Sequence, residues 1–201
     1  VNEFKHTAIG ALLNRHAGED AWVFGKGPSL DGFDMGVAGA LRICINESAA
    51  VVPTPSYFFA HDCVPIERVA VQWPEGCKAV LEDGMVKHAV DSGIPQEAVY
   101  QYSKRDKDKS VLFLSPEEIA EQNILHGMNG TVHSALHFCK LVGVRCVHMV
   151  GFDGTGGYAA CVNVDSSEGR NHKQINRHTM KMLKLLRIPM TVWPWGASHE
   201  A

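Results

Sequence analysis

Apolar residues along this chain fall in short runs, each stopped by a glycine, a proline or a polar group. Ala21–Phe24 is the first and ends in Gly25-Lys26-Gly27-Pro28-Ser29; Leu41–Asn46 and Ser56–Ala60 come next, the latter stopped by His61-Asp62. Runs of this length without alternation predict strands buried on both faces. Elsewhere the period lengthens. Phe4, Ala8, Ala11, Leu12 and Leu13 share roughly one helical face over 4–16, with Gly18 placed to close it, so the pattern predicts a helix ahead of the first strand. Asp31–Ala40 reads as a short helix or turn, Pro65–Val71 as a helix, Cys77–Leu81 as a short strand and Gly84–Asp91 as another short helix. The mixed-charge stretch Ser103–Lys109 reads as a solvated loop.

Apolar order returns at Val111–Leu114, and Ser115-Pro116-Glu117-Glu118 announces a helix with a cap, a proline in its first turn and acids near its positive end. The most readable unit comes next. Asn129-Gly130-Thr131 opens a helix through Leu141, Gly143 ends it, and Val144–Val150 is a strand stopped by Gly151-Phe152-Asp153-Gly154. After Gly156, Gly157, Tyr158 and a polar stretch over 165–169, a long helix from about Asn171 to Leu186 leads to a last strand, Met190–Trp193. The succession predicts an α/β fold: a Rossmann-like, doubly wound, mainly parallel sheet with helices on both faces.

Composition narrows the setting. With 201 residues, 45% hydrophobic and 20% charged, the chain can bury a core as one domain over 1–201. A formal charge of −3 gives no general attraction to nucleic acid or acidic membranes. No apolar run approaches the ~18 residues that span a bilayer, and Asn2, Glu3, Lys5 and His6 interrupt any signal-peptide core, so a cytoplasmic location is expected. The six cysteines form no Cys-x-x-Cys pair and read as reduced, mostly core residues. Eleven histidines include His133 and His137 at i, i+4 on the expected helix. They would either chelate a metal, with no third ligand evident in sequence, or sit partly buried and hydrogen-bonded.

On an open parallel sheet, Gly25–Ser29, Asn46, Asp62, Asn129–Thr131 and Asp153 all fall at the carboxyl edge, where such folds bind nucleotides. Gly25 and Gly27 would bring backbone N–H groups close to an anion, Lys26 adds a positive charge, Pro28 fixes φ, and Ser29 caps the succeeding turn or binds an oxygen. A side chain at position 27 is accordingly expected to fill the space of a phosphate. The spacing matches neither the dinucleotide fingerprint nor the Walker-type loop.

Three blocks carry a resemblance. Gly27-Pro28-Ser29-Leu30 comes directly after a strand, with Arg42 and Asn46 on the second strand; Asn129-Gly130-Thr131 leads through a glycine to Gly151-Phe152-Asp153; and Asn171-His172-Lys173 heads the last helix. Together they resemble the bacterial CMP-sialic-acid-dependent sialyltransferases, with their Asn-Gly-Pro-Ser-Leu loop, and the archaeal-type hydroxymethylpterin pyrophosphokinase-like proteins, with Gly-x-Gly-Pro-Ser-Leu. Lys26 stands where the sialyltransferases have asparagine, and Tyr158 alone stands for their tyrosines beside the leaving phosphate.

The resemblance implies a glycosyltransferase that moves a sugar from a CMP- or UDP-type nucleotide donor to an acceptor hydroxyl. His172 would be the general base; Gly25, Lys26, Gly27, Pro28, Ser29, Asn46, Asn129, Gly130, Thr131, Asp153 and Tyr158 would hold the donor. The runner-up is an ATP- and Mg²⁺-dependent pyrophosphokinase acting on a small hydroxymethyl substrate, and only there does a metal enter, with Asp62 as ligand or else a turn residue. A nucleic-acid-modifying transferase would use the basic run Arg170, Lys173, Arg177, His178, Lys181, Lys184 and Arg187, which otherwise is a solvated helix face. A nucleotide-binding domain without catalysis is the third reading.

Overall fold

The computed structural model describes residues 6–106, 108–127, 130–153, 158–162 and 172–193, with backbone only for His172 and Lys173. Among these, nine strands pair in parallel: β1 (Thr7–Ala8), β2 (Asp20–Phe24), β3 (Arg42–Ile45), β4 (Tyr57–Ala60), β5 (Lys78–Glu82), β6 (Val99–Lys104), β7 (Ile124–Leu125), β8 (Cys146–Val150) and β9 (Met190–Val192). The sheet order is β1-β6-β5-β4-β3-β2-β8-β9, and β7 also pairs with β6. β1 takes the first half of that outer edge, at Tyr100 and Gln101, and β7 the second, at Ser103 and Lys104.

Among the described residues five α-helices cover the sheet: α1 (Cys63–Ala70), α2 (Asp83–Asp91), α3 (Pro116–Gln122), α4 (Thr131–Val142) and α5 (His172–Leu186). Alternate strand residues feed two cores. On one face Val23, Ile43, Phe59 and Val80 pack with α3, α4 and α5 through Ile119, Phe138, Met182 and Leu183. On the other, Phe24, Cys44, Phe58 and Leu81 pack with α1 and α2 through Ile66, Val69 and Val86. Burial on both faces is why these strands read as continuous apolar runs. The architecture is the expected α/β, doubly wound, Rossmann-like one.

The order also locates the crossing point of the winding. From β2 the chain steps outward through β3, β4, β5 and β6, then returns to lay β8 and β9 on the other side of β2. The carboxyl ends of β2 and β8 therefore flank the topological switch point, where open α/β sheets form a ligand crevice.

Two elements differ from expectation. The stretch expected as a helix over 4–16 begins, within the described residues, as β1 and continues as a 3₁₀ turn, Ile9–Leu12. Its apolar residues serve the sheet edge and the core: Ile9 and Leu12 are buried, and the Ile9 N–H donates to Asn123 Oδ1 at 3.0 Å. Ser103 and Lys104, expected in a solvated loop, end β6, where pairing with Ile124 and Leu125 of β7 outweighs their polarity.

Candidate functional site at the sheet switch point

The loop after β2 and the loop after β8 are joined residue by residue. The Gly25 N–H donates to the Val150 carbonyl at 2.7 Å and the Gly27 N–H to the Gly151 carbonyl at 2.8 Å. The Ser29 N–H lies 3.2 and 3.1 Å from the two carboxylate oxygens of Asp153, and Ser29 Oγ accepts from the Gly151 N–H at 3.0 Å. The N–H groups expected to cradle a phosphate are thus spent within the protein at these three positions. The glycines answer to the same packing. A Cβ on Gly25 would stand 2.6 Å from the Gly151 oxygen, and one on Gly27 would stand 2.1 Å from Asp153 Oδ2 and 2.7 Å from the Gly151 oxygen. A side chain at 27 meets Asp153, a correction to the expected clash with phosphate. Pro28 begins a 3₁₀ turn through Leu30 whose cap, Gly27, has φ −70°, so no left-handed conformation is required there.

Lys26 points into the edge. Its ammonium sits 2.6 Å from Glu47 Oε2 and 4.4 Å from the centre of the Tyr158 ring, with its side chain only 10% exposed. Glu47, 6% exposed, also takes Arg68 Nη1 of α1 at 3.3 Å on its other oxygen. Two cations on one buried carboxylate leave this cluster net positive by one charge, and Tyr158 lends Lys26 the face of its ring. Neither Glu47 nor Arg68 was among the expected site residues. Glu47 stands directly after Asn46, but Arg68 lies on a helix whose spacing gives no hint of the contact.

Asn46, just past β3, is 6% exposed, holds φ +56°, and its Oδ1 finds no hydrogen-bond partner among the described residues. A buried amide oxygen left unpaired in a left-handed conformation is costly twice over. Ser48 secures the turn around it, accepting from the Ile45 N–H at 3.0 Å and donating to the Phe24 carbonyl at 2.9 Å.

A second polar group lies farther along the same edge. His61 Nε2 is 2.9 Å from Tyr102 Oη and 3.1 Å from Ser134 Oγ, tying the end of β4 to β6 and to the first turn of α4. Burial holds its pKa below the ordinary value, with Lys104 adding to the effect. Behind it His126, His133 and His137 are fully buried, and each keeps one ring nitrogen without a partner among the described residues. The His126 N–H donates to His137 Nδ1 at 3.1 Å. Burial pushes His133 down to about 4 and His137 down to about 3. Both rings are hydrogen-bonded as well as buried, His137 Nδ1 to the His126 N–H and His133 Nε2 at 3.4 Å from Thr179 Oγ1.

The positive ends of two helices reach this edge, because α4 and α5 each run back to start the next parallel strand. α4 starts at Thr131, which is buried, with Gly130 as its cap. α5 starts at His172 and is tethered one turn in, where Asn176 Nδ2 donates to the Phe152 carbonyl at 2.7 Å. Asn129, Asn171 and Arg170 lie outside the described residues. Arg177, Lys181 and Lys184 on α5 and Arg187 just past its end are exposed, while Thr179, Met182, Leu183 and Leu186 are buried.

Arg42, named with Asn46 in the resemblance, lies away from this edge. It starts β3 at the opposite edge and spends its guanidinium on the carbonyls of Gly39, Pro53, Met35 and Ala38, at 3.1, 2.7, 3.3 and 3.2 Å. Cys44, Cys77 and Cys139 are buried free thiols as expected, whereas Cys63 and Cys161 are exposed. Among the described residues no helix is long and apolar enough to cross a membrane. No family model, curated protein or solved structure matches the chain.

Proposed function

We propose that the chain is a nucleotide-dependent transferase whose donor binds at the switch point between β2 and β8, and that it moves a sugar from a CMP- or UDP-type nucleotide to an acceptor hydroxyl. The observation that carries this reading is the tether of α5 to the loop after β8: it holds the helix that begins at His172 beside Phe152 and Asp153. A base on the first turn of a helix whose positive end faces a nucleotide's phosphates suits displacement at an anomeric carbon. His172 would take the hydroxyl proton as the acceptor oxygen bonds to that carbon, and the bond to the nucleotide phosphate breaks with its electron pair leaving on phosphate. The net positive Lys26–Glu47–Arg68 cluster and the starts of α4 and α5 favour the developing charge. Asn46 Oδ1 would accept from the base or ribose, and Asp153, Asn129, Gly130, Thr131 and Tyr158 would complete the donor pocket. Ser29 and Pro28 then act by shaping the loop.

Carboxylates stand just past β3, β4 and β8 at Glu47, Asp62 and Asp153, which favours a second reading, pyrophosphoryl transfer from ATP with Mg²⁺. The exposed cations of α5 would in either case accept a polyanionic acceptor. Thermal-shift measurements with CMP, UDP, GDP and ATP, with and without Mg²⁺, separate the readings. Stabilisation of about 2.7 kcal/mol at a hundredfold excess over Kd marks the true ligand. CMP or UDP acting without Mg²⁺ supports sugar transfer, ATP acting only with Mg²⁺ supports the second reading, and no response to any nucleotide overturns both. With an active donor, His172→Ala should keep nucleotide affinity and lose about 10²- to 10⁴-fold in turnover.

A further inference from the structure

At the opposite edge of the sheet, where β2 and β8 begin, three side chains of different ligand chemistry converge. Asp20 and Cys146 are register partners, and His148 lies two residues farther along β8 on the same face. One ligand atom from each, a carboxylate oxygen, Sγ and an imidazole nitrogen, lies within 4.8 Å of the others, and all three residues are half-buried. We propose that Asp20, Cys146 and His148 form a binding site for a divalent transition metal of the zinc type, with water in the fourth position.

The supports of these side chains point the same way. His148 Nδ1 lies 2.6 Å from Thr191 Oγ1 on β9, its register partner, and the Trp22 ring stacks on the imidazole at 4.5 Å between centres. His148 Nε2 faces Asp20 Oδ2 at 3.5 Å, a contact that holds a proton in one imidazole tautomer and leaves a lone pair for a metal in the other, with Nδ1–H donating to Thr191. Tetrahedral zinc with bonds of about 2.0–2.3 Å sets its ligand atoms roughly 3.3–3.8 Å apart, and this pair already meets that spacing. Asp20 is oriented in turn by a two-pronged bond from Arg145, with Nε to Oδ1 and Nη2 to Oδ2 both at 2.9 Å. Each oxygen keeps a second lone pair, so Arg145 orients the carboxylate as outer-shell partners of metal ligands do, and its charge weakens the site without closing it. A thiolate, an imidazole and one carboxylate suit zinc and cobalt; magnesium and calcium demand oxygen. On binding, the Cys146 thiol releases its proton to solvent as the metal–sulfur bond forms, so affinity rises with pH. Such a metal would clip β2 to β8 at the end away from the switch point.

The test is a Co²⁺ titration of metal-free protein monitored by its absorption, with Zn²⁺ as competitor. Wild type should give a thiolate-to-cobalt charge-transfer band that saturates at one equivalent and is abolished by Zn²⁺. Cys146→Ser should lose the band although exposed Cys63 and Cys161 remain, and His148→Asn should lose tetrahedral cobalt binding while leaving every thiol in place. Thr191→Val should keep the band and weaken affinity by about tenfold. Melting in metal-free buffer shows that each variant folds, and Zn²⁺ should raise the melting temperature of wild type but not of Cys146→Ser. No band in wild type, or an unchanged band in a folded Cys146→Ser or His148→Asn protein, overturns the site.

Discussion

Asp153 closes on Ser29 across the junction of β2 and β8, its two oxygens 3.2 and 3.1 Å from the Ser29 N–H, while the Ser29 hydroxyl accepts from the Gly151 N–H. Residues 124 apart in sequence thus complete one turn together. The loop owes its shape to this closure, and its glycines can be tested as parts of it.

Gly27→Ala should destabilise the fold by about 1–3 kcal/mol, the usual cost of forcing atoms into a packed site, because its Cβ would press on Asp153 and the Gly151 carbonyl. Urea denaturation measures this directly. Pairing it with Asp153→Ala should recover part of the loss; a single mutant as stable as wild type would remove the glycine from the junction.

Lys26→Met leaves Glu47 with Arg68 alone at a site where Lys26 and Glu47 are 10% and 6% exposed. Breaking a buried pair from one side costs about 3–5 kcal/mol, and the remaining Arg68 contact holds the expected loss near the lower end. The double variant Lys26→Met/Glu47→Leu should be the more stable of the two, since no half-paired buried carboxylate remains and Arg68 is partly exposed to solvent. Equal denaturation midpoints for both would show that the ion pair carries no buried charge cost.

Asn46→Gly separates stability from binding. Glycine relieves the left-handed backbone at 46 and removes the unpaired amide oxygen, so stability should hold or rise by up to about 1 kcal/mol. If that oxygen receives a donor group of the ligand, nucleotide affinity should fall by about 1–3 kcal/mol. Calorimetry on a variant of wild-type stability decides, and unchanged affinity would take Asn46 out of the site.

His133 and His137 set an acid limit. Their folded pKa values, about 4 and about 3, lie below the ordinary 6.5, so the unfolded chain binds more protons between those values and stability climbs with pH through that window. The contribution is complete above about pH 6.5 and is lost as pH falls to about 4 for His133 and about 3 for His137, several kcal/mol in all. Denaturation midpoints at pH 7, 5 and 4 should fall in that order, and His137→Leu should flatten the slope. A midpoint independent of pH across this range would contradict burial of neutral imidazoles.

Much of the frame was legible because buried parallel strands are unbroken apolar runs and helix ends carry caps. Tyr57–Ala60, Thr131–Val142 and Cys146–Val150 lie within a few residues of where the pattern puts them, and Ser115 caps α3 with Glu118 answering it. β6 is not legible because Val99–Lys104 carries only two fully buried positions, Val99 and Tyr102, three apart and next to a charged stretch, and its place in the sheet comes from β1 and β5. At the site, position could be read and pairing could not. The carboxyl edge came out of parallel order, but the commitment of Gly25, Gly27 and Ser29 N–H groups to the β8 loop, and of Lys26 to Glu47, depends on distances across the sheet that no local spacing encodes.

The position of β2 between β3 and β8 also bears on how the protein is made. At about 5–20 residues per second, synthesis from Phe24 to Cys146 takes on the order of ten seconds. Until then one side of β2 shows its unpaired backbone groups beside Trp22, Val23 and Phe24, all buried in the finished sheet. A nascent chain stalled before Cys146 therefore holds an open strand edge suited to chaperone capture or to mispairing with a neighbouring ribosome's product, and release of that capture would coincide with the emergence of β8.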